Sequence, residues 1–355
     1  MTNSWHKNAL QKIFAEMNRS SDTHLLKIFF SKKSNISLYL KDESSHITGS
    51  LKHRLARSLY LYGICNGWIN ENTTIIEASS GNTAVAEAYF AFLLGLRFIA
   101  VMPKSISQQK IKRIEHYQGE CVLIEHTQTD REAAYELASK CNSHFMDQFT
   151  FAERAVDWRS NNNIAESTFR QMANEQFPIP EWIVCGAGTG GTAATFGRYI
   201  RYALYPTQLC VVDPEDSVLY DYFIHRDSSI SIQKASRIEG IGRRYVPASF
   251  FPDIISRMIK VPDNGSIAAL YFLEQLTGLK FGASTGSALY GSLQLAAELQ
   301  EQGKKGSIVV IAGDSGHLYH DTYYNHDWLE TKNIHIKPYM EQLWHFYNTG
   351  KWVMP

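Results

Sequence analysis

Residues 181–192 read EWIVCGAGTGGT. The first half is a short apolar run of strand character. The second is a glycine-rich turn with two threonines, and a helix opens after it. A strand that runs through such a turn into a helix is the repeating unit of a parallel α/β fold. Glycines let backbone N–H groups crowd around an anion, and the helix dipole adds to the attraction. A phosphate cradle is therefore expected at Gly188, Thr189, Gly190, Gly191 and Thr192.

The same alternation spreads outward from this stretch. TTIIEAS (73–79) is a β-branched strand running into the helix SGNTAVAEAYFAFLLGL (80–96). LRFIAVMP (96–103) and ECVLIEH (120–126) are strands, followed by the helices QQKIKRIEHYQG (108–119) and REAAYELASKCN (131–142). QLCVVDP (208–214) and SIVVIAGDSG (307–316) are further short strands. SNISLYLKDES (34–44) reads as an edge strand leading to a helix that opens at Thr48 or Ser50, in TGSLKHR (48–54). The pattern predicts α/β architecture with parallel-rich sheets covered by helices. No repeat, low-complexity tract or Pro/Gly/Ser-rich linker interrupts it.

The chain has 355 residues, 44% hydrophobic and 20% charged, enough for about two domains. Thirty-five basic residues balance 35 acidic ones. That leaves no electrostatic footprint for nucleic acid or an acidic membrane surface. Five cysteines, with no CxxC pair, read as reduced, mostly buried thiols. The polar start MTNSWHKNALQKIF lacks a secretory core, and no run approaches the roughly 18 apolar residues of a membrane helix. A cytoplasmic address is expected.

Several motifs could carry chemistry. The glycine-rich turn also satisfies G-x-G-x-x-G at Gly186, Gly188 and Gly191, with Asp213 at the end of the next strand. That leaves a nicotinamide-dependent oxidoreductase as a rival, although the motif sits mid-chain. ASSGNTA (78–84) opens a helix with Ser79, Ser80, Gly81, Asn82 and Thr83 and suits a carboxylate; simple N-capping is the plainer reading. GASTGSA (282–288) places Ser284 among small residues before a helix, and SRIEGIGRRYVP (236–247) bends around Gly240 and Gly242. His317 and His320 have metal-ligand spacing but no third partner, so no metal site is assigned. Lys52, at a helix start that would prefer an anion, is the odd residue. A lysine, a phosphate cradle, a carboxylate loop and a small-residue serine together suit pyridoxal phosphate, with Lys52 as the Schiff-base lysine.

TGSLKHR, EASSGNTA, GTGGT, EGIG and GASTGSA occur in this order, and over about 35–320 the chain resembles the fold-type II pyridoxal-phosphate enzymes. These are the cysteine synthase, cystathionine β-synthase and threonine dehydratase group, with a tryptophan synthase β-like fold. KDESSHITGSLKHRLARSLYLYGICNGWI, DQFTFAERAVDWRSNNNIAESTF and SRIEGIGRRYVP are most similar to the bacterial L-cysteine desulfhydrase branch. The resemblance implies that Lys52 is the Schiff-base lysine and moves the Cα proton. Asn82 would bond the cofactor's 3′-oxygen, and residues 188–192 its phosphate. Ser284 would face the pyridine nitrogen, a neutral partner that favours β-elimination. Ser79, Ser80, Gly81, Thr83 and Gln148 would hold the substrate carboxylate, and Gly240 would line the pocket. His46-Ile47 stands where the family has Asn-Pro, and Ala84 where it has glycine. No CxxH haem segment is visible, and the residues after 320 are too few for a regulatory tandem module.

The resemblance further implies two domains. Residues 1–54 with 150–330 would form the large cofactor-binding domain. Residues 55–149 would form a small mobile domain for the substrate carboxylate, and 331–355 a helical, aromatic tail. The expected reaction is β-elimination on L-cysteine to hydrogen sulfide, pyruvate and ammonia, in a homodimer. The alternatives are β-replacement of the cysteine synthase or cystathionine β-synthase kind, and a protein that keeps the fold as a binding module without catalysis.

Overall fold

The computed structural model describes residues 4–19, 22–125, 129–140, 142–160 and 163–355. In chain order the elements are α1 (Ser4–Met17), β1 (His24–Ile28), β2 (Ile36–Asp42), α2 (Lys52–Cys65), β3 (Thr74–Ala78), α3 (Asn82–Leu94), β4 (Phe98–Pro103), α4 (Gln108–Glu115), β5 (Glu120–Ile124), α5 (Asp130–Ala138), β6 (Ser143–Phe145) and α6 (Gln148–Ala155). There follow α7 (Ile164–Met172), β7 (Trp182–Gly186), α8 (Gly191–Tyr202), β8 (Gln208–Pro214), α9 (Leu219–His225), β9 (Arg257–Val261), α10 (Asp263–Thr277), α11 (Ala283–Glu301), β10 (Gly306–Ala312), α12 (His326–Thr331) and α13 (Lys337–Thr349).

These elements form two compact units, Met1–Asp22 with His46–Asp157 and Thr23–Ser45 with Trp158–Pro355. The first contains a four-stranded parallel sheet in the order β5-β4-β3-β6. Side chains alternate along β4: Phe98, Ala100 and Met102 face the core under α2 and α3, and Ile99 and Val101 face that under α5. The second contains a six-stranded sheet, β1-β2-β10-β7-β8-β9, parallel except for the β1–β2 pair. Ile308, Val310 and Ala312 of β10 enter one core, while Val309 and Ile311 enter the other. Coverage on both faces explains why these strands read as unbroken apolar runs.

The α/β architecture agrees with the sequence, but several details differ. SNISLYLKDES is no edge strand: β2 is second in its sheet, and β1 takes the edge. The helix of TGSLKHR begins at Lys52 itself, because Gly49 at φ 76 and a turn closed by Gly49 N onto His46 O occupy the preceding residues. Residues 1–22, 46–54 and 150–157, expected in the large domain, belong to the smaller unit. Ile13 of α1 is buried in one cluster with Leu55 and Leu59 of α2, and Glu16 meets His53 at 2.9 Å. The tail 331–355 is no separate segment either: Leu343 and Phe346 are fully buried in the second unit, and Phe346 stacks on Phe30.

Cys185 and Cys210 are buried in β7 and β8, Cys121 is half-buried and Cys65 exposed, all as free thiols. Cys141 lies outside the described residues. Among the described residues no helix is long and apolar enough to cross a membrane.

Helix α11, which carries Ser284, seats on α10 through small residues. Ser287 Oγ donates to Ser266 Oγ at 2.8 Å, and a Cβ added at Gly286 would lie 2.1 Å from the Ser266 carbonyl oxygen. Backbone cannot yield as a flexible side chain can. Gly286→Ala is therefore expected to destabilise the protein by about 1–3 kcal/mol, read as a lower midpoint in denaturant unfolding. An unchanged midpoint would show that α11 can shift without loss.

Candidate active site

In the first unit, Lys52 is half-buried at the first turn of α2. Its backbone N–H donates to Ser50 Oγ at 3.3 Å. The next two residues anchor it. His53 is buried, with Nε2 2.9 Å from Glu16 Oε1 and Nδ1 3.2 Å from Thr48 Oγ1, and its ring stacks on His46. Burial holds the His53 imidazole below its usual range, although Glu16 pulls the other way. Arg54 pairs with Asp22 at 2.7 Å.

The loop 79–83 leaves β3 and opens α3. Gly81 is the N-cap, and no side chain caps this helix, so the plain capping reading fails. First-turn N–H groups without a side-chain cap suit an anion. Ser79 Oγ accepts from Gly81 N at 3.3 Å, Thr83 Oγ1 donates to Gln148 Oε1 at 2.8 Å, and Asn82 Oδ1 accepts from Arg113 at 2.9 Å. The last bond uses the Asn82 amide oxygen as an acceptor. Thus Thr83 and Gln148, expected together, are joined directly.

Behind this loop lies a feature that sequence reading missed. Glu77 and Glu87 are fully buried carboxyls that interact with each other. Glu77 accepts from Ala78 N at 2.7 Å and from Gln148 N at 3.2 Å. Glu87 lies one helical turn beyond Thr83 on the same face of α3, and its carbonyl accepts from Tyr60 of α2. Burial pushes Glu77 up to about 7. Burial, and then Glu77, push Glu87 well above the carboxylate range, while the Lys52 charge pulls it down. An acid in the apolar helix AVAEAYFAFLL was the available signal.

In the second unit, the loop 186–192 joins β7 to α8. Its successive carbonyls of Ala187, Gly188 and Thr189 accept from Gly242 N, Arg243 Nε and Ser249 Oγ. A trans peptide sends its N–H opposite to its carbonyl. The N–H groups of Gly188, Thr189 and Gly190 therefore point away from segment 242–249. None of the three is taken by a hydrogen bond among the described residues. A Cβ at Gly188 would lie 2.3 Å from the Gly240 carbonyl oxygen, and Gly190, at φ 87, would strike Phe250 and Ser249 at 2.9 Å. Only glycine builds this cradle, and a phosphate is the group it fits.

Gly240 is exposed, and its carbonyl oxygen lies against Gly188. Thr285 and Ser287 are buried and engaged, Thr285 Oγ1 by Gly313 N and Ser287 Oγ by Ser266. Ser284 is partly exposed, and no described residue takes its hydroxyl. Asp213, the rival reading's ribose ligand, is fully buried and accepts from Tyr220 N at 2.8 Å at the start of α9. His317 and His320 are both exposed.

Comparison with known proteins agrees with this chemistry. Residues 20–314 match the family described as pyridoxal-phosphate dependent enzyme. The chain belongs to that family: it is a pyridoxal-phosphate-dependent enzyme of fold type II. It is 52% identical to L-cysteine desulfhydrase Cds1 of Mycobacterium tuberculosis over 94% of this chain and 92% of that protein. It is 28% identical to cysteine synthase B of Campylobacter jejuni over 82% of this chain and 92% of that one. A hydrogen sulfide-producing enzyme from Fusobacterium nucleatum shares the fold, with a TM-score of 0.74 at 24% identity, covering 85% and 96% of the two chains.

The carboxyl pair makes stability depend on pH. Glu77 is raised from 4.5 to about 7, so the folded chain holds a proton that the unfolded chain releases. That contribution is complete below 4.5 and is lost as pH rises through about 7. Glu77→Gln turns an amide toward one of the two backbone N–H groups, and a deficit of about 1–3 kcal/mol is expected at pH 5. The deficit should shrink by pH 8, where only the wild type carries the buried charge. Denaturant unfolding at both pH values tests this, and a constant deficit would remove Glu77 from the titration.

Proposed function

We propose that this chain is a pyridoxal-phosphate-dependent L-cysteine desulfhydrase, converting L-cysteine and water to hydrogen sulfide, pyruvate and ammonia. The observation that carries the reading is the 52% identity to a desulfhydrase over 94% of the chain. The uncapped start of α3 and the outward N–H groups of 188–190 support the reading.

In this reading the N–H groups and hydroxyls of 188–192 hold the cofactor's phosphate, Ser284 meets its ring nitrogen, and Asn82 donates to its 3′-oxygen. Bound there, the cofactor supplies an electron sink for negative charge at the amino acid's Cα. Ser79, Ser80, Gly81, Thr83 and Gln148 hold the substrate carboxylate and so orient the Cα–H bond. Gly240 lines the pocket by its backbone. Lys52 holds the cofactor between turnovers and takes the Cα proton as general base. Sulfide then leaves from Cβ. A neutral Ser284, unlike a carboxylate, leaves the ring nitrogen less protonated and favours elimination.

The first unit would thus serve substrate carboxylate and proton transfer, and the second the phosphate. The reading includes a homodimer working in the cytoplasm. Free thiols at Cys65, Cys121, Cys185 and Cys210 suit a reducing compartment.

Purified protein with pyridoxal phosphate is expected to release sulfide and pyruvate in equal amounts from L-cysteine. Lys52→Ala should lower that rate by about 10²–10⁴-fold. Cysteine formed from O-acetylserine and sulfide faster than cysteine is broken down would replace the desulfhydrase with a synthase.

A further inference from the structure

The cradle at 186–192 is gripped from behind by a cation. Of the three donors on its carbonyls, Gly242 N and Ser249 Oγ are neutral. The middle one is the guanidinium of Arg243, whose Nε donates to the Gly188 carbonyl at 3.1 Å. A Cβ at Gly188 would lie 2.8 Å from Arg243 Nη2, so the guanidinium lies directly against this glycine. The Arg243 backbone is held on both sides: its N–H donates to Ser217 Oγ at 3.0 Å, and its carbonyl accepts from Val218 N at 2.9 Å.

A neutral side chain could fill the same bond. A guanidinium there carries a desolvation cost that a neutral donor avoids. Burial indeed lowers its proton affinity, though an arginine stays charged. That cost is offset when an anion sits on the opposite face of the same peptides. The bond to the Gly188 carbonyl also polarises the Gly188–Thr189 peptide, which makes the outward Thr189 N–H a stronger donor.

We propose that Arg243 is the charge-bearing part of the phosphate site, acting through the Gly188–Thr189 peptide to select a dianionic phosphate over an uncharged group. It is a positioning residue and touches no reacting atom. The inference rests on the reading that loop 186–192 holds the cofactor's phosphate.

The test compares binding of pyridoxal phosphate and of pyridoxal, which lacks the phosphate, to the apoprotein by spectroscopic titration. Arg243→Gln keeps an N–H donor for Gly188 but removes the charge, and Arg243→Lys keeps the charge. Arg243→Gln is expected to weaken pyridoxal phosphate by about 10–100-fold and to leave pyridoxal unchanged, while Arg243→Lys recovers most of the loss. The ³¹P resonance of the bound phosphate should hold its dianion position from pH 6 to 8 in the wild type and begin to titrate in Arg243→Gln. Equal loss of both ligands, or Arg243→Lys no better than Arg243→Gln, would overturn the proposal in favour of a structural role. If Arg243→Gln does not fold, a wild-type ³¹P resonance that titrates as free phosphate does overturns it, and Arg243→Lys carries the comparison. Cysteine breakdown is not read in this experiment, so a protein that binds the cofactor but fails to release sulfide would overturn the desulfhydrase reading alone.

Discussion

A trans peptide cannot turn its carbonyl and its N–H to the same side, and the second unit is organised around that constraint. Strand β7 lies between β10 and β8, with both faces buried, so its C-terminal end is held still. The three peptides that follow present their carbonyls to donors in 242–249. Their N–H groups then necessarily face the other way. Glycine at 188 and 190 is the steric condition for this, since a side chain at either would meet backbone. The outward N–H groups are thus a consequence of how the carbonyls are satisfied, and α8 adds its dipole to a geometry already set.

The first unit solves a related accounting problem with carboxyls. The backbone N–H groups of Ala78 and Gln148 sit where β3 ends and α6 begins, and Glu77 satisfies both. One buried acid therefore ties the strand before loop 79–83 to the helix that supplies Gln148. Glu87 shares its surroundings and feels the Lys52 charge, so the proton content of this pair and the state of Lys52 are coupled. Around Lys52 the backbone is fixed by His53 and Arg54, which bond to Glu16 and Asp22.

Those two pairs also explain why the unit boundary differs from the sequence expectation. Nothing in MTNSWHKNALQKIF marks α1 as a partner of α2, because its contribution is Ala9 and Ile13 spaced one turn apart in a polar helix. Strands β1, β6 and β9 escaped for a similar reason. HLLKI, SHF and RMIKV are short and are not each followed by a glycine- or serine-rich turn opening a helix, the context that marked β3 and β7.

The sequence by itself determined the α/β class, the strand–turn–helix units and the residues of the three loops. Those properties are local: periodicity and glycine placement act over a few neighbouring residues, and GAGTGGT or SSGNT can be read as they stand. Only the tertiary structure decided which groups back those loops. Gly188 and Arg243 are 55 positions apart, and Glu77 and Gln148 are 71 apart. Whether an arginine or a glutamate is a solvated surface charge or the backing of a loop depends on burial and on partners brought in by the chain's return. No pattern within either segment contains that information.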